Sequence, residues 1–164
     1  MKMKFGLVLS VLAFALGLAT TSARAADIVG TWRLQSWIEE ETESKVVHNV
    51  FGEHPLGFIT FTADKRVAVI FVDPTRKAPA APKATDAEAT ELYRTMVAYA
   101  GSYSVEGDKL TNKVEVAWNQ AWNGTNQVRF FDLKDDRLTV RTQAFMSPFL
   151  NKQIVSTLVF ERLK

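Results

Sequence analysis

Side chains able to do chemistry are few and scattered through these 164 residues. The only histidines are His48 and His54, there is no cysteine, and no His-Glu-x-x-His spacing occurs, so no metal site is expected. A Gly-x-Ser-x-Gly elbow, a phosphate loop and a dinucleotide fingerprint are all missing, so no motif points to a catalytic residue or a cofactor. The carboxylates gather at Glu39–Glu43 and Asp135–Asp136, where they read as solvated turns, and Glu53 beside His54 reads as turn chemistry. What remains is a set of aromatic, amide and cationic groups in the second half: Tyr99, Tyr103, Asn112, Trp118, Trp122 and Arg129. An Arg129 facing inward among aromatics would suit a carboxylate. A buried guanidinium without a partner is costly, so a ligand, Asn112 or tyrosine hydroxyls would have to satisfy it. The alternative is an outward Arg129 on a solvated face. Trp118 and Trp122 lie around Asn123-Gly124, which reads first as a turn pair; they suit either a packed corner or an aromatic portal.

The elements that must hold these groups are short strands separated by polar turns. The pattern predicts strands over 28–38, 45–50, 56–62, 66–72, 102–105, 109–118, 127–133, 137–143 and 153–163. On the first, Trp32, Leu34 and Ser36 share a face, and Glu39–Ser44 reads as a charged turn. Alternation places Ser156, Leu158, Phe160 and Arg162 on one side of the last strand. It places Tyr103, Asn112, Val114, Val116 and Trp118 together on another. On the strand between, Arg129, Phe131 and Leu133 alternate with Val128, Phe130 and Asp132, and both sets are apolar enough to be buried. Strands adjacent in sequence favour an antiparallel meander, and closing the meander into a barrel removes its edges.

One interruption breaks the series. Pro74, Pro79 and Pro82 mark a loop, and Thr85 stands three residues before Glu88 as a capping box. Ala89, Leu92, Tyr93, Met96, Val97 and Ala100 then follow at helical spacing, with Gly101 suited to the stop. An inserted α-helix over about 86–100 is expected, serving as a plug on one barrel end or as a lid over the opening.

The N-terminus has the layout of a secretory leader: Lys2 and Lys4, an apolar run from Phe5 to Ala19, and Ala23-Arg24-Ala25 before Ala26. The run is shorter than the ~20 residues a membrane span requires. The expected organisation is a signal peptide over 1–25 and one domain over 26–164. Lys2, Lys4 and Arg24 leave with such a leader, which leaves about 17 basic residues against 18 acidic ones. The surface of the remainder then gives no argument for nucleic acid, and no stable membrane anchor is expected after cleavage. Absent cysteines exclude disulfides, so the core holds the fold unaided. With 47% hydrophobic and 11% aromatic residues the chain is globular rather than disordered.

Several segments in order resemble a known family: Val29-Gly30-Thr31-Trp32-Arg33-Leu34, Phe51-Gly52-Glu53-His54-Pro55-Leu56-Gly57, Tyr99-Ala100-Gly101-Ser102-Tyr103, Trp122-Asn123-Gly124-Thr125-Asn126-Gln127-Val128-Arg129 and Val159-Phe160-Glu161-Arg162. Over about 28–163 the chain resembles the bacterial lipocalin-like domain family, small relatives of the lipocalin and calycin barrels. The resemblance implies a mainly β fold, an antiparallel up-and-down barrel of about 8–10 strands with an interior cavity. It implies that Trp32 packs across one barrel end beneath a basic side chain, here Arg162. It brings no settled activity. Two positions depart from the family pattern, with Asn112 where His is common and Ala121 where Asn is common, which puts chemistry needing either group in doubt.

The expected function is a periplasmic or secreted bacterial protein that binds or carries a small hydrophobic ligand, including one bearing a carboxylate. The candidate ligand-binding residues are the six named above. A cofactor-free enzyme such as a cyclase or isomerase, and a filled barrel acting as an interaction module, are the alternatives.

Overall fold

A computed structural model describes residues 28–164. The expected leader over 1–25 lies outside them. The strands are β1 (Gly30–Glu41), β2 (Val47–Asn49), β3 (Leu56–Phe61), β4 (Arg66–Val72), β5 (Met96–Glu106), β6 (Lys109–Ala117), β7 (Asn126–Lys134), β8 (Arg137–Thr142), β9 (Phe145–Met146) and β10 (Gln153–Arg162). One helix, α1 (Asp86–Arg94), precedes β5, and a 3-10 turn spans Gln120–Trp122. Hydrogen bonding runs in the order β1-β3-β4-β5-β6-β7-β8-β10, and β10 pairs again with β1. Every one of these pairings is antiparallel, so eight strands close into a barrel. The short β2 and β9 lie beyond them on β1 and β10, at the barrel's open end.

Two bulges decide which side chains face inward. In the β1–β10 ladder the register shifts between Leu34 and Ser36. Trp32 and Leu34 are buried before the shift; Trp37, Glu39 and Glu41 are buried after it. Ser36, expected beside Leu34 on the inner face, is displaced from it. The β5–β6 ladder shifts between Ala100 and Gly101, opposite Val116 and Val114. Asn112 and Val114 are buried as expected, but Val116 is 59% exposed, a correction that follows from the extra residue reversing the alternation.

The helix is shorter than the expected 86–100. Its start is as read: the Glu88 N–H donates to Thr85 Oγ1, and the Glu88 carboxylate accepts from the Thr85 N–H at 2.8 Å. It ends at Arg94, and Met96 already pairs with Val72 of β4. Met96, Val97 and Ala100 therefore belong to a strand. The spacing that fits a helical stripe also fits an alternating strand, and seven ladder pairs from Val72↔Met96 to Arg66↔Ser102 favour the strand. No residue of α1 is buried, and none lines the cavity described below, so the helix is neither plug nor lid. It rests outside, with Tyr93 against Trp118 at 5.9 Å and the Trp118 indole N–H donating to the Tyr93 carbonyl.

The opposite end of the barrel is sealed. Arg162 lies over the Trp32 ring at 4.1 Å and donates to the Val29 carbonyl, while the Trp32 indole N–H donates to the Ile28 carbonyl at 2.8 Å. A desolvated guanidinium–indole contact contributes on the order of 1–2 kcal/mol. Phe61 and Tyr103 pack edge to face at 5.0 Å, and the Tyr103 hydroxyl donates to the Thr62 carbonyl.

The bulge at Gly101 carries a direct prediction. A Cβ there would stand 1.9 Å from the Lys113 carbonyl oxygen, so the two strands close only with glycine at this position. Gly101→Ala should lower stability by about 1–3 kcal/mol or more through this clash. Urea unfolding measures it, and an unchanged midpoint would contradict the close approach.

Candidate functional site

A cavity of about 420 Å³ opens between β7, β8 and the β9 segment. Its deeper walls are apolar, with Ile59, Val140, Leu158 and Phe160 toward the sealed end and Phe71, Val97 and Leu110 beside them. Full burial of such side chains is what a closed barrel interior supplies. On one flank of the mouth Trp37, Phe51 and Phe149 stack edge to face at 5.4 to 5.8 Å. Each such contact contributes about 0.5–1.5 kcal/mol beyond the area it buries.

A belt of polar side chains runs around the upper interior. Glu39 of β1 stands opposite Ser156 of β10, whose hydroxyl donates to the Glu39 carboxylate at 3.3 Å. The Ser156 N–H donates to Thr142 Oγ1 of β8 at 2.9 Å, and Thr142 stands opposite Arg129 of β7. Asn112 of β6 then donates its amide N–H to the Tyr99 hydroxyl of β5 at 3.1 Å. All of these residues come from barrel strands, and all line the cavity.

Arg129 faces inward. Its guanidinium donates to the Val128 carbonyl and to Gln127 Oε1, both at 2.9 Å. Among the described residues no carboxylate lies within 4.0 Å of it, and burial pushes its pKa down. Two of its five N–H groups are engaged, which leaves donors for a group in the cavity. Burial pushes the Tyr99 hydroxyl pKa up, against smaller opposing effects of Arg129 and Asn112, so Tyr99 stays a neutral donor.

Four of the six residues expected at the site line one cavity: Tyr99, Asn112, Trp122 and Arg129. The other two lie elsewhere. Tyr103 is part of the sealed end, its hydroxyl committed to Thr62. Trp118 packs on Trp122 at 4.7 Å but stands in a shallow groove on the outer wall, with Val116 and Ile70. The second bulge turns this end of β6 away from the interior.

Glu39 is a cavity residue that the strand pattern left in a solvated turn. It is fully buried, with Ser147 Oγ donating to it at 2.6 Å, and burial raises its pKa despite its hydroxyl partners. The same Ser147 oxygen accepts the N–H groups of Phe149 and Leu150, which fastens the segment after β9 over the mouth. Glu41, one alternation farther along, is different. It accepts from Lys152 at 2.7 Å and from Ser44 and His48, and these contacts, Lys152 first, hold its pKa down at about 2. The alternation of Trp37, Glu39 and Glu41 was a signal that both carboxylates share the inner face, legible once the bulge is placed.

The two carboxylates oppose each other in their effect on stability. Glu41, with its lowered value, stabilises the fold above the ordinary carboxyl range, and that contribution is lost as pH falls toward 2. Glu39, with its raised value, costs stability above its folded value, and the cost lifts as pH falls. Glu39→Gln should therefore unfold at higher urea than the wild type at pH 7, and the gap should shrink toward pH 4.5. A gap that stayed constant with pH would show that Glu39 folds with an ordinary value.

A family model described as a lipocalin-like domain matches residues 29–163. No curated protein matches the chain.

Proposed function

The chain belongs to the lipocalin-like domain family, and from that premise we propose that it binds a small hydrophobic acid, tail inward, with its carboxylate at Arg129. One observation carries the reading: an apolar cavity whose polar rim includes a guanidinium with no carboxylate partner among the described residues. At about 420 Å³ the cavity lies in the range of small-molecule sites, toward its lower end. Ile59, Leu158 and Phe160, toward the sealed end from the polar belt, are the residues that would take the tail. Tyr99 adds a second donor to the carboxylate, and Trp122 borders the mouth. Work outside the cytoplasm is part of the proposal, supported by the leader pattern and by a chain without cysteine.

Calorimetric titration of the protein with decanoate and with decanol tests this. Arg129→Leu should weaken decanoate binding about tenfold or more, the usual scale for a charge-assisted hydrogen bond, and leave decanol nearly unchanged. Equal decanoate affinity in both proteins would remove Arg129 from the site.

A further inference from the structure

A barrel wall that faces water alternates apolar inward residues with polar outward ones. The wall made by β7, β8 and β10 keeps that rule, with Asp132, Lys134, Arg137, Arg141 and Glu161 on its outer side. The wall made by β3, β4 and β5 breaks it. Phe58 stands opposite Ile70, and Ile70 opposite Ala98. The next row is Thr60, Ala68, Ala100 and Val116; a third is Leu56, Val72 and Met96. No charge stands in these three rows. The charges at their border are Arg33, 6.0 Å from the Phe58 ring, and Arg66 and Glu115, which bind each other at 2.7 and 2.8 Å.

The field is not flat. Ala68, Ala98 and Ala100 floor a groove of about 390 Å³ that Phe58 and Ile70 border on one side and Val116 and Trp118 on the other. Leu56, Phe58, Ile70 and Val116 are 40 to 59% exposed, and Tyr93, packed on Trp118 at the edge, is 50% exposed. Half-exposed side chains of this size offer on the order of 100 Å² each, so with the alanine floor the apolar field comes to roughly 700 Å². The largest apolar patch of a typical monomer is about 300–600 Å², and a stable interface takes about 800 Å² from each partner.

We infer that this wall is the interface of a symmetric homodimer. A ridge of large side chains beside a groove of small ones is self-complementary. A two-fold axis lying in the interface sets Phe58 and Ile70 of each copy into the alanine groove of the other. Arg33 and the paired Arg66 and Glu115 then fall in the polar rim, where interfaces carry their charges. Without its leader the chain has about 17 basic residues against 18 acidic ones, so an anionic membrane gains no electrostatic hold on it. The cavity opens between β7, β8 and β9, on the other side of the barrel, so the dimer leaves both mouths free. The inference goes beyond the acid-binding reading and does not rest on it.

Sedimentation velocity of the purified protein tests it. A dimer is expected at micromolar concentration, where interfaces of this size hold. Ile70→Glu, a charge at the centre of the field, should raise the dissociation constant about thirtyfold or more. Val116→Glu, on another strand, should do the same and carries the test if the first variant does not fold. Thr139→Glu, on the charged wall, should leave the dimer intact. A wild-type monomer throughout the micromolar range overturns the inference. A dimer indifferent to both field substitutions, or lost in Thr139→Glu, overturns it as well, because the copies then meet elsewhere. Flotation of a monomer with phosphatidylglycerol vesicles, abolished by Ile70→Glu, overturns it in favour of a membrane.

Discussion

A closed barrel has a single interior, and each strand supplies it with every second side chain; the bulge in β1 decides which ones β1 supplies. Between Leu34 and Ser36 the ladder to β10 slips by one residue. Below the slip β1 contributes Trp32 and Leu34 to the sealed end. Above it β1 contributes Trp37, Glu39 and Glu41. Without the slip, Ser36, Ile38 and Glu40 would face inward, and Glu39 would leave its place beside Ser156 in the polar belt. The Glu39–Ser147 hydrogen bond that fastens the mouth segment, and the Glu41–Lys152 pair above it, both depend on that one irregularity.

The belt separates two solvents inside one small protein. Toward the sealed end the interior is hydrocarbon, closed by Phe160, Trp32 and the Arg162 guanidinium. Toward the mouth it carries hydroxyls, an amide, a carboxyl and a guanidinium in sequence around the wall. An amphipathic molecule finds both environments in the right order. The opposed pKa directions of Glu39 and Arg129, one raised and one lowered, have the same cause, because burial disfavours the charged form of each. A ligand carboxylate would offset that penalty for Arg129.

Alternation made much of this legible in the sequence. Ser156, Leu158 and Phe160 face inward as the pattern of β10 requires, and Asn112 and Val114 follow from β6. On β7 alternation alone leaves both faces open, and only the structure places Arg129 in the cavity. The readings fail where a single residue changes the count. Charged residues from Glu39 to Glu43 look like a turn, and a bulge has no composition of its own to announce it. Val116 and Trp118 fall outside for the same reason, past the Gly101 slip. The helical pattern runs six residues past the helix because Met96, Val97 and Ala100 satisfy both periods, and only pairing with β4 distinguishes them. Tyr103 lies on the face that alternation gives it but belongs to the sealed end, a matter of depth along the strand that alternation does not encode.

Ligand orientation tests the central claim most directly. In crystals of the protein grown with ω-bromodecanoate, the anomalous signal of bromine marks the tail. The account predicts bromine among Ile59, Leu158 and Phe160, with the carboxylate against the Arg129 guanidinium. Bromine at the mouth beside Trp122, or in the outer groove beside Trp118, would contradict it.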